Sequence, residues 1–417
     1  MKFERYDIDD QIKKNLAELG FKRPTDIQFK AIPDILKGED VLAIAQTGTG
    51  KTAAFAIPVI DKIQRQKKNR RALGIKCLVM VPTRELAMQI GGGFNQLTRH
   101  THVKSFAVFG GVEQDAQIQK LQAGIDVLVA TPGRMFDLIS QGFIDLKAVQ
   151  TLVLDEADHM LGLGFIEDIK FVKKKLPHEH QTLFFSATIN RDIKKLAYSQ
   201  VRGNAIRIEI APEDPVSKNV THFVMYVKMD DKRFFLERFV RENPESKIMV
   251  FVRTRVRAER VAKAMARFDI EAETIHGEKD QKARTAVMQD FKEGEGQLLV
   301  ATDVSARGID IPDVNFVINY DLPDHPENYV HRVGRTGRGV KKGIAISYCA
   351  EEEKEKLARI QAILDKPIRE IRIGKRDYAE TVAAAEGIQS AEALIAEHER
   401  RQNSRKKGGK SSRKKSK

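Results

Sequence analysis

Tryptophan is absent from the 417-residue sequence, and cysteine occurs only twice. The two cysteines, Cys77 and Cys349, provide neither a disulfide framework nor a cluster of metal ligands. Their scarcity argues against a disulfide-stabilised secreted domain and against a zinc-binding module. Both lie in apolar, strand-like stretches, so we expect buried, inert thiols in the reducing environment of the cytoplasm.

Long hydrophobic runs are also missing. No segment approaches the roughly 18 consecutive apolar residues that a membrane-spanning helix requires. The first ten residues, MKFERYDIDD, lack the apolar core of a signal peptide. These absences predict a cytoplasmic protein without a membrane partner, and a composition of 41% hydrophobic and 31% charged residues is typical of a globular protein.

Acidic residues are absent from the C-terminal segment 400–417, which contains ten lysines or arginines. The formal net charge of the chain is +14, so the other 399 residues carry only +4. The basic character therefore belongs chiefly to this tail and does not show that the folded part binds nucleic acid. We expect a disordered tail that binds nucleic-acid phosphates without sequence preference, with a purely solubilising tail as the alternative.

Apolar strands alternate with amphipathic segments from VLAIA (41–45) onward, and the alternation resumes at IMVFV (248–252) after a proline-containing stretch. Such alternation predicts an α/β fold with two tandem, doubly wound parallel sheets. The predicted domains span residues 1–210 and 220–370, joined by a linker at 211–219. A C-terminal extension, 371–417, follows the second domain and includes an alanine-rich helix at 379–401.

A glycine-containing turn, AQTGTGKT (45–52), follows the first predicted strand. Gly48 and Gly50 permit a tight turn whose N–H groups point at phosphate oxygens, and the following helix adds its partial positive charge. In such a loop the lysine reaches the β- and γ-phosphates and the threonine hydroxyl binds Mg²⁺. The predicted nucleotide contacts here are Thr47, Gly48, Thr49, Gly50, Lys51 and Thr52.

Two adjacent carboxylates, Asp155 and Glu156, follow the apolar run TLVL. Ligands of open α/β sheets bind at the carboxyl ends of strands, so we assign both carboxylates to the same nucleotide site as the glycine-containing turn. Asp155 is predicted to hold Mg²⁺, through water because that ion dehydrates reluctantly. Glu156 is predicted to orient and deprotonate the attacking water. The alternative is an exposed helix start, where the helix dipole favours acidic residues.

The segment HRVGRTGR (331–338) contains two arginines, Arg335 and Arg338, that would face the same way on a helical turn. Presented to a γ-phosphate, they would act as arginine fingers. A solvated basic turn or a contact to nucleic-acid phosphate explains the pattern equally well. Because the segment lies in the second predicted domain, a catalytic role would require the nucleotide to draw the two domains together.

With these motifs the sequence resembles the DEAD-box ATP-dependent RNA helicases, in particular compact, RhlE-like bacterial members, from Phe3 to about Tyr348. The resemblance implies tandem RecA-like domains, ATP and Mg²⁺ as cofactors, and RNA-dependent ATP hydrolysis that unwinds short duplexes locally. GFKRPTDIQ (20–28) resembles the adenine-reading segment of the family. Gln28 would pair with adenine, Phe21 would pack on the base, and Thr25 belongs to the same implied ATP site.

The same resemblance implies further site residues in both domains. The implied RNA contacts of the first domain are Pro82, Thr83, Arg84, Gly110, Gly111, Thr131 and Arg134. Those of the second are Arg253, Gln281, Arg284, and Thr302 with Asp303, the last two touching RNA phosphate or bridging to it. Gly308 and Asp310 would approach the nucleotide, and His331 would join Arg335 and Arg338 in catalysis. Asp158, Ser186 and Thr188 would couple RNA binding to hydrolysis.

Two other functions stay open on the sequence. One is a DNA-directed helicase or remodelling ATPase. The resemblance of segment 20–28 to the adenine-reading segment of the RNA helicases disfavours it. The other is a nucleotide-gated RNA clamp, which would use the same residues as an unwinding enzyme. We expect a monomer that binds single strands and short duplexes of RNA without reading their sequence, in ribosomal or RNA-degradation assemblies.

Overall fold

The computed structural model describes residues 2–45, 48–69, 74–188, 191–210, 219–294, 296–303, 314–337, 342–364 and 367–385. Several predicted features lie outside the described residues: Thr47, Gly308, Asp310, Arg338, linker residues 211–218 and the basic tail. The described chain divides into two compact units, one on either side of the predicted linker. Each unit has its own sheet and its own hydrophobic cores.

The first unit is built on a seven-stranded sheet with the order β3-β4-β2-β5-β6-β1-β7, and its strand pairings are parallel. The strands are β1 (Val41–Ile44), β2 (Cys77–Met80), β3 (Ser105–Val108), β4 (Val127–Ala130), β5 (Thr151–Leu154), β6 (Gln181–Ser186) and β7 (Ile206–Glu209). Five of them, β1, β2, β4, β5 and β6, are buried at every position. Burial along a whole strand is expected where helices cover both faces of a parallel sheet.

Helices cover both faces of this first sheet. They are α1 (Asp10–Glu18), α2 (Asp26–Leu36), α3 (Lys51–Asn69), α4 (Arg84–Leu97), α5 (Gln114–Gln122), α6 (Pro132–Ser140), α7 (Ala157–Gly162), α8 (Ile166–Lys175) and α9 (Arg191–Gln200). Because side chains alternate along a strand, Val41 and Ala43 join the core formed with α1 to α4. Leu42 and Ile44 join the core on the opposite face, with α5 to α9.

The second unit repeats this architecture with the strand order β10-β11-β9-β12-β13-β8-β14. The strands are β8 (Val220–Tyr226), β9 (Ile248–Val252), β10 (Glu273–Ile275), β11 (Leu298–Thr302), β12 (Phe316–Asn319), β13 (Gly343–Cys349) and β14 (Arg369–Glu370). The described helices are α10 (Lys232–Glu242), α11 (Arg255–Ala266), α12 (Gln281–Glu293), α13 (Pro326–Val333), α14 (Lys354–Ile363) and α15 (375–385). The predicted α/β fold with two doubly wound parallel sheets is therefore confirmed.

The residues that follow β14 pack against the second unit. Helix α15 begins four residues earlier than the predicted alanine-rich helix, and residues after 385 lie outside the described part. The Tyr378 hydroxyl donates to Asp231 Oδ2 at 2.7 Å, and its ring lies 4.9 Å from that of Phe235. Ala385 is buried in the same core. None of the helices in the described ranges is long and apolar enough to cross a membrane.

A buried ion pair fixes the chain that follows β12. Lys232 Nζ donates to Glu353 Oε2 at 2.5 Å and to the Tyr320 carbonyl oxygen at 2.6 Å. Glu353 also accepts from the Leu322 N–H at 3.1 Å. Burial lowers the pKa of Lys232, and the Glu353 carboxylate opposes that change. Since a buried ion that loses its partner is strongly destabilising, this pair holds the 320–322 segment, and with it Asp321, in one position.

Candidate nucleotide and RNA site

The carboxyl ends of the first unit's strands share one edge, because the strand pairings are parallel. The neighbouring strands β1, β6 and β5 end in the phosphate loop, the 186–188 segment and the 155–158 segment. The next strands along the same edge, β2, β4 and β3, end in the predicted RNA contacts. One edge of the sheet therefore has a nucleotide half and an RNA half, which meet between β5 and β2.

The phosphate loop presents a buried cation without an acceptor. Lys51 is the first residue of α3 and is 5% exposed, and its Nζ has no hydrogen-bond partner within the described ranges. A buried ammonium that lacks an acceptor is costly. Phosphate oxygens would supply both the acceptors and the opposite charge, so the loop fits a nucleotide triphosphate.

The acidic pair lies at the end of β5 and is almost fully buried. The Glu156 N–H donates to Asp155 Oδ1 at 3.0 Å, and Glu156 Oε2 lies 3.6 Å from His159 Nδ1. Burial raises the pKa of Asp155 to about 6; the Lys51 ammonium opposes the rise and the neighbouring Glu156 and Asp158 carboxylates add to it. The two carboxylates are therefore not an exposed helix start, which removes that alternative.

Glu156 has a left-handed backbone conformation, with φ 51° and ψ 48°. Residues other than glycine rarely adopt this conformation, and such strain is concentrated at functional sites. Here it turns the chain sharply between β5 and α7, so that Asp155 and Glu156 both remain at the carboxyl edge of the sheet.

The oxygen donors of Thr52 and Asp155 suit Mg²⁺. The described residues contain no group of three or more histidine, cysteine or acidic side chains that could surround a metal ion. Mg²⁺ typically keeps several waters and binds through one or two carboxylates plus phosphate oxygens, so Asp155 with the Thr52 hydroxyl is sufficient. A bound cation would also stabilise the ionised form of Asp155, which burial disfavours.

The predicted adenine segment contacts the phosphate loop directly. Gln28 is 3% exposed; its Oε1 accepts from the Thr25 N–H at 3.0 Å and its Nε2 donates to the Gly50 carbonyl oxygen at 3.1 Å. Gly50 has a φ of +94°, and a Cβ there would lie 2.4 Å from Gln28 Nε2, so only glycine fits. Each amide atom retains the capacity for a second hydrogen bond. The pairing of Gln28 with adenine stays a prediction.

The aromatic residue predicted to pack on the base, Phe21, is half-buried. Its ring packs edge-on against that of Phe3, with the centroids 5.8 Å apart. Phe3 is itself buried and also contacts the Tyr6 ring at 6.0 Å. The N-terminal turn therefore supports Phe21 beside the segment that carries Gln28.

A hydrogen bond connects the acidic segment to the neighbouring strand. Thr188 Oγ1 donates to Asp158 Oδ2 at 2.9 Å, and Ser186 Oγ donates to the Thr188 carbonyl oxygen at 2.8 Å. The three residues predicted to couple RNA binding to hydrolysis are therefore joined in the structure. The bond links the loop after β5, which carries Glu156, to the loop after β6.

The RNA half of the first unit converges on Arg84. Thr83 caps α4 by accepting from the Leu86 N–H, which places Arg84 at the start of the helix. The Arg84 guanidinium lies against Gly110 and Gly111, so closely that a Cβ at Gly111 would be 2.0 Å from Arg84 Nη1. Arg134 Nη2 donates to the Val112 carbonyl oxygen at 3.1 Å.

The remaining predicted contacts of this half lie at the same edge. Pro82 precedes the cap of α4, and Thr131 follows β4 as the cap of α6. The segments after β2, β3 and β4, predicted separately from the sequence, are therefore brought together. They form a surface of arginines, backbone groups and small side chains, which suits phosphate oxygens better than base edges.

The second unit also carries its predicted RNA contacts at or near strand ends. Arg253 follows β9 and is exposed, and its N–H donates to Asp321 Oδ2 at 3.2 Å. Gln281 and Arg284 lie in the first turn of α12, both 4% exposed, and Thr302 ends β11 at 8% exposed. Their RNA contacts stay predictions.

Asp303 is held by an arginine that the sequence did not reveal. Its carboxylate accepts from Arg332 Nε at 2.5 Å and from Arg332 Nη2 at 2.9 Å. Arg332 is 1% exposed and also donates to the Asp321 carbonyl oxygen at 2.6 Å. This pairing occupies the Asp303 carboxylate, and the contact of Asp303 with RNA phosphate, direct or bridged, stays a prediction.

One of the two predicted arginine fingers, Arg335, lies just beyond the end of a helix. Helix α13 ends at Val333 with Gly334 as its C-cap, so Arg335 lies in the turn beyond the helix. Arg335 is 3% exposed, and its Nε donates to the His331 carbonyl oxygen at 3.2 Å. Arg338 lies outside the described residues, so its relation to Arg335 stays a prediction.

The fold and the site define a nucleotide-hydrolysing enzyme built from two RecA-like units. A DEAD/DEAH box helicase model matches residues 25–196, and a helicase conserved C-terminal domain model matches residues 231–340. The chain is 39% identical over 371 residues to the ATP-dependent RNA helicase RhlB of Shewanella sp. (strain MR-4), covering 88% of this chain and 84% of that protein.

Two further similarities indicate the same family. The ATP-dependent RNA helicase CshA of Listeria monocytogenes is 39% identical over 393 residues, covering 94% of this chain and 74% of that protein. Among solved structures, S. cerevisiae Dbp5 bound to RNA and ADP BeF3 has a TM-score of 0.80 at 28% identity, covering 93% of this chain and 99% of the other. The chain belongs to the DEAD-box ATP-dependent RNA helicases, as the sequence predicted.

The contact between Arg84 and Gly111 is testable. Gly111→Ala should displace the Arg84 guanidinium, because the added Cβ would collide with Nη1. We expect the affinity for single-stranded RNA to fall about tenfold, the effect of losing one charge-assisted contact. Fluorescence anisotropy with a labelled RNA measures the affinity.

Gly124→Ala is the matched control for this substitution. Gly124 has a φ of +80°, close to the +79° of Gly111, but a Cβ there meets nothing within 4 Å. The backbone strain is therefore the same in both variants, and only Gly111→Ala displaces an arginine side chain. Equal RNA affinities for the two variants would contradict the role assigned to Arg84.

Proposed function

We propose that this chain couples ATP hydrolysis to local separation of short RNA duplexes. The observation that carries the proposal is the buried Lys51 ammonium, without an acceptor in the described ranges, on the same sheet edge as the buried Asp155 and Glu156. A triphosphate would neutralise the cation and would place its γ-phosphate near both carboxylates. Membership of the DEAD-box family supports the same reaction.

In this proposal the residues of the first unit have separate roles in hydrolysis. Lys51 binds the β- and γ-phosphates, and the Thr52 hydroxyl and Asp155 hold Mg²⁺. The bound Mg²⁺ supplies positive charge against the phosphate oxygens. Glu156 orients the attacking water and accepts its proton. Gln28 and Phe21 select and pack the adenine base.

The second unit would complete the site. Arg335 and Arg338 would stabilise the charge that develops on the γ-phosphate, with His331 beside them and with Gly308 and Asp310 approaching the nucleotide. A correctly placed arginine finger is worth about 10³–10⁵ in rate. Because these residues are remote in sequence from Lys51, we propose that ATP and RNA together favour a closed state in which hydrolysis occurs.

RNA binding would be independent of sequence. The segments after β2, β3 and β4 offer arginines and backbone groups, which recognise phosphates without reading bases. Separating one base-pair step costs about 1.4 kcal/mol, so opening ~4–6 pairs in one closure demands roughly 6–8 kcal/mol. We therefore propose local opening of duplexes, with no movement of the protein along the strand.

The partners and the location are proposed from the sequence alone. We propose a cytoplasmic monomer, acting on RNA in ribosomal or RNA-degradation assemblies. The tail 400–417, with ten lysines or arginines and no acid, would add salt-dependent, non-specific phosphate binding.

Glu156→Gln tests the catalytic assignment. Glutamine keeps the size of the side chain but cannot accept a proton, so we expect the RNA-stimulated ATPase rate to fall about 10²-fold or more. Binding of ATP and RNA, measured by anisotropy, should persist. Glu167→Gln makes the same chemical change on exposed α8 and should leave turnover unaltered. Turnover by the Glu156 variant above about a tenth of the parent rate would refute the role of Glu156.

The dependence of unwinding on duplex length tests local opening. If each closure opens only a few pairs, the remainder of a short duplex dissociates unaided, whereas a long duplex closes again. We expect the unwinding rate in a strand-displacement assay to collapse beyond about two helical turns. Undiminished rates on duplexes of about 40 pairs would indicate translocation and would contradict the proposal.

A further inference from the structure

A cationic cavity lies outside the sites described above, on the second unit. It has a volume of about 260 Å³ and lies between α10 and α11, beside Tyr320. Five cationic residues line it: Arg233, Arg257, Arg260, Lys263 and Arg267. We call these five residues the α11 basic groove. The lining contains one acidic residue, Asp230.

Four of the five cations lie on a single helical face. Arg257, Arg260, Lys263 and Arg267 are spaced three or four residues apart along and just beyond α11, so their side chains fall within about one third of the helix circumference. The stripe is about 15 Å long, at 1.5 Å per residue. Like charges at this spacing destabilise a helix, so the arrangement carries a cost unless an anion binds to it.

Three of the five cations form no ion pair with other residues in the described ranges. Arg260, Lys263 and Arg267 are exposed and form no ion pair with residues in the described ranges. The acid nearest in sequence, Glu259, faces away, because it accepts from Thr274 Oγ1 at 2.7 Å and pairs with His276 Nε2 at 2.9 Å. Their charge is therefore available to a ligand.

The inner end of the groove is held firmly and adjoins a predicted RNA contact. The Arg257 guanidinium lies over the Tyr320 ring, 5.3 Å from its centroid, and its Nε is 3.5 Å from Asp321 Oδ1. Asp321 Oδ2 accepts from the Arg253 N–H, so a single carboxylate connects the groove to Arg253. A polyanion bound at Arg253 could therefore also contact the cations of α11.

We propose that the α11 basic groove binds the phosphate backbone of an RNA duplex that adjoins the strand contacting Arg253. This inference rests on the proposed function. Duplex RNA is recognised through its shape and its phosphates, which a 15 Å row of cations suits. Met229, Val261, Ala264 and Tyr320 also line the cavity, so the charge of the five cations carries the proposal, and the experiment below distinguishes RNA from an acidic protein segment.

The triple variant R260Q, K263Q and R267Q tests this proposal in the full-length chain. Glutamine has nearly the same helix propensity as lysine and arginine, so α11 should persist, which an unchanged melting temperature would verify. The control is K174Q, K194Q and K195Q, which removes three exposed lysines from α8 and α9 of the first unit. Each triple lowers the formal net charge by three, from +14 to +11.

The measurement is RNA affinity without nucleotide over a range of salt concentrations. One probe is a ~12-pair RNA duplex with a ~10-nucleotide single-stranded extension, and the other is the single strand alone. For the α11 triple we expect the slope of log affinity against log salt on the duplex probe to fall by about 2–3. The ratio of duplex to single-strand affinity should fall about tenfold, and the control should keep both values.

Three outcomes would overturn the proposal. Equal losses in the two triples would assign the effect to net charge alone. An unchanged duplex slope in the α11 triple would exclude RNA from the groove. An unchanged duplex slope together with a loss of binding to polyglutamate would assign the groove to an acidic protein. Failure of the proposed function is distinguishable, because the parent protein would then show no RNA-stimulated ATPase whatever its affinity for the duplex.

Discussion

Parallel pairing of the first sheet is the constraint on which the site depends. Parallel strands all end at one edge, so residues more than a hundred positions apart in sequence, such as Lys51 and Asp155, reach the same place. The strand order then decides which loops are neighbours. Because β5 lies between β2 and β6, the acidic segment adjoins an RNA-contacting loop on one side and the 186–188 segment on the other.

This order gives the two ligands a short physical connection. The hydrogen bond from Thr188 to Asp158 joins the loop after β6 to the loop that carries Glu156. Gln28, bonded to the Gly50 carbonyl oxygen, similarly joins the adenine segment to the phosphate loop. Neither bond contributes much to stability, since a typical intramolecular hydrogen bond is worth about 1 kcal/mol. Each bond instead links two loops, so a ligand that moves one of the two loops also moves the other.

The sequence predicted most of the fold, because fully buried parallel strands appear as short apolar runs. It did not predict β8, whose burial alternates along the strand, or β7, which is buried at only one position. The phosphate loop and the acidic pair were predictable because their chemistry is local. Arg332 was not, because its role depends on Asp303 and on the carbonyl oxygen of Asp321, contacts that only the fold creates. The helix before Arg335 ends at Val333, and the common orientation of Arg335 and Arg338 stays a prediction.

We propose that the hydrogen bond between Thr188 and Asp158 transmits RNA binding to the nucleotide half of the edge. The direct test is Thr188→Val, which keeps the shape of the side chain and removes its donor. ATP affinity is measured with and without RNA, and RNA affinity with and without a non-hydrolysable ATP analogue; the two enhancement factors must be equal by linkage. We predict that each ligand alone binds the variant as it binds the parent, while the shared enhancement factor falls at least about fivefold. An unchanged enhancement factor would show that this hydrogen bond does not couple the two ligands.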